Sequence, residues 1–176
     1  MTVAQLRNDE MVALLRADLL PASDRNVCLS LADMGGNSFT AEETHPLSDV
    51  RFNGAPTLYG YNAGSGEITV NEPGIYWIQF AGTIQNSTGA AAAEAGMWLQ
   101  ADAGSGFATV VGASFSVYLP AAANWRASGS RSVILRLGAG HKLRLRVART
   151  QGTDTLAVVA QGSTLEIVRL IGLGSA

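Results

Sequence analysis

From about residue 50 onward the chain alternates apolar and polar positions in short runs, and turn residues separate the runs. The stretch "NEPGIYWIQF" (71–80) shows the pattern at its clearest: a polar turn, a proline and a glycine, then a run of strand formers. Tyr76, Ile78 and Phe80 share one face of that run, and Trp77 and Gln79 share the other. In "HKLRLRVAR", Leu143, Leu145 and Val147 alternate with Lys142, Arg144 and Arg146. This is the signature of a sheet with one face in the core and the other facing water or a partner. Strands are predicted over 57–61, 66–70, 74–85, 96–102, 107–119, 131–137, 141–149, 154–160 and 163–171. The connections between them, such as "NAGSG", "ADAGSG", "LGAG" and "TQGTD", carry Gly, Asn or Asp where the chain must reverse. Strands this short and this closely spaced predict an all-β, antiparallel two-sheet sandwich.

The first 49 residues read differently. Thr2 and Gln5 form a capping-box pattern, and Leu6, Met11, Leu14, Leu15 and Leu19 recur at helical spacing until Pro21, which predicts a helix over 3–19. Its apolar stripe fits either a docking face or burial against the chain's own core. "NVCLSLADM" alternates like one short strand, and "GGNSFTAEETHPLSD" is polar and turn-rich, as expected of an extended arm. The expected division is therefore 1–49, helix and arm for docking, and 50–176, a β-sandwich head.

Nearly half of the 176 residues are apolar and 15% are charged, so the chain carries enough apolar surface to build a core. No apolar run reaches the length of about 18 residues needed to cross a membrane as a helix, and the N-terminus lacks the pattern of a secretory leader. Neither membrane insertion nor secretion is expected. A lone Cys28 rules out an internal disulfide framework and reads as a small buried hydrophobe; synthesis in a reducing cytoplasm is expected.

The net charge of -2 conceals a split. Residues 1–50 hold eight acids against three arginines, whereas 125–150 hold Arg126, Arg131, Arg136, Lys142, Arg144, Arg146 and Arg149 without an acid. Such a stretch suits an acidic polysaccharide, an acidic patch on a neighbouring subunit, or arginines stacked at a subunit seam. Nucleic acid is not expected, because the chain as a whole is acidic.

Catalytic patterns are missing. His45 and His141 form no metal-ligand pair, "GASFS" and "GNSFT" fall short of a nucleophile elbow, and "GSGFAT" lacks the third glycine of a dinucleotide loop. Neither enzyme activity nor a cofactor or metal is expected. "PAAANWR" sets a tryptophan beside hydrogen-bonding groups, the combination that stacks on a sugar ring and reads its hydroxyls. Asn124, Trp125 and Arg126, with Tyr59 and Tyr61 from "LYGYN", are the candidate glycan-binding residues. Asn86 in "NST" matches a glycosylation sequon but reads as a plain loop.

"TVNEPGIYWIQF", together with "SRSVILRLGAGHKLRLRVARTQGTDTLAVVAQGSTLEIVRL", resembles the jelly rolls of the tumour necrosis factor-like and complement globular-head superfamily. The resemblance covers roughly residues 50–171; the closing strand departs from it, with Leu165 and Glu166 where an aromatic and glycine-containing strand is usual. It implies a compact homotrimer. Trp77 and Gln79, and Arg144 and Arg146 of the basic stretch, are the residues expected at the trimer interface; cover of Trp77 by a loop of its own subunit is the alternative. Helix, arm and trimeric head together suggest a short spike. The expected role is a structural protein of a bacteriophage or phage-like particle, such as a head spike, decoration protein or fibre tip. It would be made in the bacterial cytoplasm, displayed on the virion surface, docked to a capsid or other virion protein through residues 1–49, and able to bind host-surface polysaccharide. A soluble trimeric cytokine-like or complement-like binding module of a bacterium is the alternative.

Overall fold

A computed structural model describes residues 28–33 and 35–172. The helix expected over 3–19 lies outside the described residues. Thirteen strands occur among those described: β1 (Cys28–Ala32), β2 (Asn37–Phe39), β3 (Glu43–Thr44), β4 (Asp49–Asn53), β5 (Tyr59–Asn62), β6 (Glu67–Val70), β7 (Gly74–Asn86), β8 (Ala93–Asp102), β9 (Phe107–Leu119), β10 (Arg126–Leu137), β11 (Lys142–Gly152), β12 (Leu156–Val158) and β13 (Thr164–Gly172). All pairings are antiparallel. One sheet runs β2, β12, β7, β13, β1, β4, with β10 on the other side of β7; the second runs β5, β6, β11, β8, β9, with β3 also on β11. Two antiparallel sheets face each other across one core, as the alternation predicts.

β7 is central to the first sheet. Tyr76, Ile78, Phe80 and Ile84 are fully buried and join Met97, Leu99, Leu143, Leu145 and Val147 of the second sheet in the core. Burial of each large apolar side chain contributes about 1.5–3 kcal/mol, so β7 alone supplies a large part of the apolar driving force. The turn that opens it is fastened by the strand's own tyrosine: the Tyr76 hydroxyl donates to the Glu72 carbonyl at 2.7 Å. On the same strand, Phe80 stacks on Phe115 of β9 with ring centroids 5.9 Å apart.

Two expectations change. Residues 28–49 are not a detached arm within the described residues: β1 lies between β13 and β4 in the first sheet, β2 pairs with β12, and β3 pairs with β11. The sandwich therefore includes residues 28–49 and does not begin at residue 50. The polar stretch 37–45 lacks apolar alternation because, apart from the buried Phe39, side-chain hydrogen bonds hold much of it in place. In addition, β10 starts at Arg126, five residues before the predicted 131. Its small residues "ASGS" look like a turn in sequence. They are a strand that must leave room: a Cβ on Gly129 would stand 2.2 Å from the Phe115 ring.

Candidate functional site

Cross-strand partners share a face, so the register of β10, β7, β13 and β1 shows what the outer face of the first sheet presents. Ile134, Trp77, Val168 and Cys28 stand side by side across four strands. Beside them run Ser132, Gln79, Glu166 and Ser30, with Phe52 of β4 next to Ser30. Towards the far end the face turns polar. Thr83 and Ser128 hydroxyls meet at 2.9 Å, and Arg126 Nε donates to Gln85 Oε1 at 3.0 Å. Ile134 is 59% exposed and Trp77 half-buried, so an apolar row lies open on an otherwise polar sheet face. A groove of about 450 Å³ next to it is lined by Gln79, Ser130, Ser132, Arg131 and Gly112.

The edge strands β9 and β10 meet beside this face. Arg131 Nε donates to the Gly112 carbonyl at 3.0 Å and ties the two edges together. Gly112 takes a φ of 77°, a left-handed value that suits glycine, beside a shift in the β8–β9 register. The resulting kink leaves Val111 94% exposed; Tyr118 farther along β9 is also exposed.

Trp77 and Gln79 do lie together on the outer face. Arg144 and Arg146 do not join them, because β11 is the middle strand of the other sheet and its polar side chains point away from the opposite side of the sandwich. There Arg144 Nε donates to Gln100 Oε1 at 2.9 Å, and its guanidinium sits 3.8 Å over the Phe107 ring. Burial, with the like charge of Arg146 next, draws the Arg144 pKa below the usual guanidinium range. Arg146 pairs with Glu42 at 2.9 Å and donates to Thr44 at 2.7 Å, and Lys142 pairs with Glu67 at 3.0 Å. The basic run is thus dispersed over both faces and both ends, and acids distant in sequence balance part of it.

The five candidate glycan residues do not form one site. Tyr59 is buried edge-on against Tyr76, ring centroids 6.2 Å apart, and the Tyr61 phenol donates to the Leu47 carbonyl. Desolvation raises the pKa of both phenols. Asn124, Trp125 and Arg126 sit instead beside Gln85 and Asn86, at the other end of β7. Nine residues separate Tyr76 from Gln85; at about 3.3 Å per residue that is about 30 Å. What remains is a smaller group around Trp125, which is 53% exposed. Its loop is held firmly: Asn86 N–H donates to the Trp125 carbonyl at 2.9 Å, and Asn124 N–H donates to the Asn86 carbonyl at 2.8 Å. Gln85 Nε2 donates to Asn124 Oδ1 at 3.0 Å. The Asn86 side chain is buried and donates to the carbonyls of Ala91 and Pro120, so the sequon is a structural hub joining two loops.

Ile134, Val168 and Cys28 escaped the sequence reading, since only strand register places them beside Trp77. Among the described residues no three His, Cys, Asp or Glu side chains converge as metal ligands would.

No protein-family model and no curated sequence matches the chain. Solved structures do. An Eiger TNF from S. frugiperda superposes with a TM-score of 0.60 at 15% identity, over 85% of this chain and 94% of that one. The globular domain of a zebrafish complement 1qA protein gives 0.59 at 12%, over 83% and 98%, and murine APRIL gives 0.55 at 14%, over 83% and 98%. At such identities the likeness speaks for the fold, and it agrees with the motifs around Tyr76 and along β10 to β13: this chain has a jelly-roll fold like that of those TNF and complement 1qA structures.

Proposed function

We propose that the protein is a non-enzymatic, homotrimeric jelly-roll head that works by binding and assembly. The observation that carries this reading is the open row of Ile134, Trp77, Val168 and Cys28 on the outer face of the first sheet. An aromatic side chain left partly in water forgoes stabilisation of about 1 kcal/mol or more that a subunit contact would supply. Val111 and Tyr118 stand exposed on the edge strand β9, outside that row. A face that meets an edge of the next copy is a heterologous contact, and such contacts close into rings, threefold ones included. The TNF and complement 1qA folds support the same arrangement by analogy. Sedimentation equilibrium tests it: a mass three times the 18.3 kDa chain is expected, and a chain that stays single at high concentration would refute it.

The finer role proposed is that of a head spike, decoration protein or fibre tip on a bacteriophage or phage-like particle, docked to a capsid or other virion protein. With residues 28–49 folded into the sandwich, that docking falls to residues 1–27. The rival is a soluble cytokine-like or complement-like binding module. Removal of residues 1–27 separates them, since it would abolish particle attachment and leave a soluble module's binding intact.

Carbohydrate recognition is a second reading, favoured by the exposed Trp125 on its pinned loop beside Asn124, Gln85 and Arg126. On a glycan array Trp125→Ala should weaken binding about fivefold or more, in line with about 1–3 kcal/mol for a stacked ring, whereas Tyr59→Phe should leave it unchanged. Equal binding by Trp125→Ala and wild type would eliminate the site.

A further inference from the structure

We propose that Asp33, Asn37, Glu43 and His45 form a buried, acid-released latch that holds the β2–β3 segment onto the sandwich. The backbone does little there: β2 pairs with β12 over three residues and β3 with β11 over two. The side chains supply the rest. Asp33, just past β1, is buried and accepts the Gly35 and Gly36 N–H groups at 3.0 and 2.9 Å. The His45 ring is buried beside it, with Nδ1 3.0 Å from Asn37 Oδ1, while Asn37 Nδ2 donates to Glu43. Glu43 thereby fixes the amide orientation, Asn37 can only accept from the imidazole, and Nδ1 must carry the proton.

The other ring nitrogen then has nothing to do. In a neutral ring Nε2 is a bare lone pair; it is buried, lacks a hydrogen-bond partner, and stands 3.8 Å from Asp33 Oδ2. A second proton must go there. The resulting imidazolium would stand beyond hydrogen-bond reach of Asp33, whose carboxylate is already engaged by the Gly35 and Gly36 N–H groups. Gly36, at a φ of 65°, lies so close to β12 that a Cβ on it would stand 2.6 Å from the Val158 carbonyl. The other neighbours offer no compensation. The His45 N–H is already committed to the Leu145 carbonyl, the Tyr61 phenol to the Leu47 carbonyl, and Arg146 of β11 to Glu42 and Thr44. Among the described residues, Asp33 is the ionisable group paired with Nε2, and Glu43 reaches the ring through Asn37.

Burial pushes the His45 pKa down, and the Asp33 carboxylate opposes the shift without reversing it. In an opened segment the ring titrates near its ordinary value of about 6.5. Protons therefore bind the open form more tightly. The latch is fully closed above that value and loses ground as pH falls towards the lower value of the closed state. Release would bare the edges of β12 and β11 together, one from each sheet.

Amide hydrogen exchange on the full chain tests the latch. Between about pH 7 and about pH 5, opening of the amides in β2 and β3, corrected for intrinsic chemistry, should rise by about threefold or more. In His45→Gln, which keeps a donor towards Asn37 but does not titrate, opening should change by less than about twofold over that range. Equal pH slopes in the two proteins would overturn the proposal. So would tighter closure of the wild type in acid, the mark of an imidazolium–Asp33 pair. Should the variant not fold, ¹⁵N titration of the wild-type imidazole decides: a midpoint below about 6.5 with Nε2 unprotonated at neutral pH supports the latch, and a midpoint above it refutes it.

Discussion

Trp77→Glu is expected to give a folded protein that sediments as a single chain. Position 77 faces outward between Ile134 and Val168, while the neighbours that build the core, Tyr76 and Ile78, point the other way and are fully buried. The substitution therefore spares the interior and changes only what the face offers a neighbour. In an assembled interface the new carboxylate would be buried in place of the indole, and Arg136, across from Ile75 and so also diagonal to position 77, would offset only part of that cost. Glu166, across from Gln79 and so diagonal to position 77, would add like charge. An unpaired buried charge costs about 3–5 kcal/mol, and a threefold ring would incur that cost three times. Circular dichroism should retain the β-sheet signal while sedimentation shows the monomer. An assembled variant would mean that the contact lies elsewhere, and an unfolded one that Trp77 belongs to the chain's own core.

Phe80→Ala should be the most damaging to the fold itself. The ring is fully buried in the middle of β7 and stacks on Phe115, and Phe115 in turn covers Gly129. Glycine brings no side chain that could move into the gap, so a cavity would persist. Large-to-small changes of this kind cost about 3–5 kcal/mol, a third or more of the stability of a domain near the middle of the usual range of about 5–15 kcal/mol. Urea denaturation should show a sharply lower midpoint with an unchanged slope. A loss below about 1 kcal/mol would place the Phe80–Phe115 pair outside the true core.

The long strands were legible in the sequence because their side chains obey the pleat. In β7, and in β11 as far as Val147, every second residue is buried, and the predicted bounds fall within a few residues of the observed ones. β9 matched as well, framed by "ADAGSG" and "LP". What escaped was held together by polar or absent side chains. β2 and β3 have one core anchor, Phe39, and otherwise depend on Asn37, Glu43, Thr44 and His45, and the start of β10 depends on having little at Ala127 and Gly129. Neither device leaves a hydrophobic signature. The site residues divided along similar lines. Trp77 and Gln79 could be placed on one face by alternation within a single strand. Linking Arg144 to Trp77, or Tyr59 to Trp125, required knowing which sheet and which end each strand occupies, and local sequence does not carry that information.

The most direct test of the assembly account follows Trp77 itself, with Trp98 and Trp125 replaced by phenylalanine so that one indole reports. Acrylamide quenching, measured while the protein is diluted through its dissociation range, should be weak when concentrated and rise as the mass falls to that of one chain. Quenching that stays constant across dissociation, with the indole equally covered in the single chain, would contradict it.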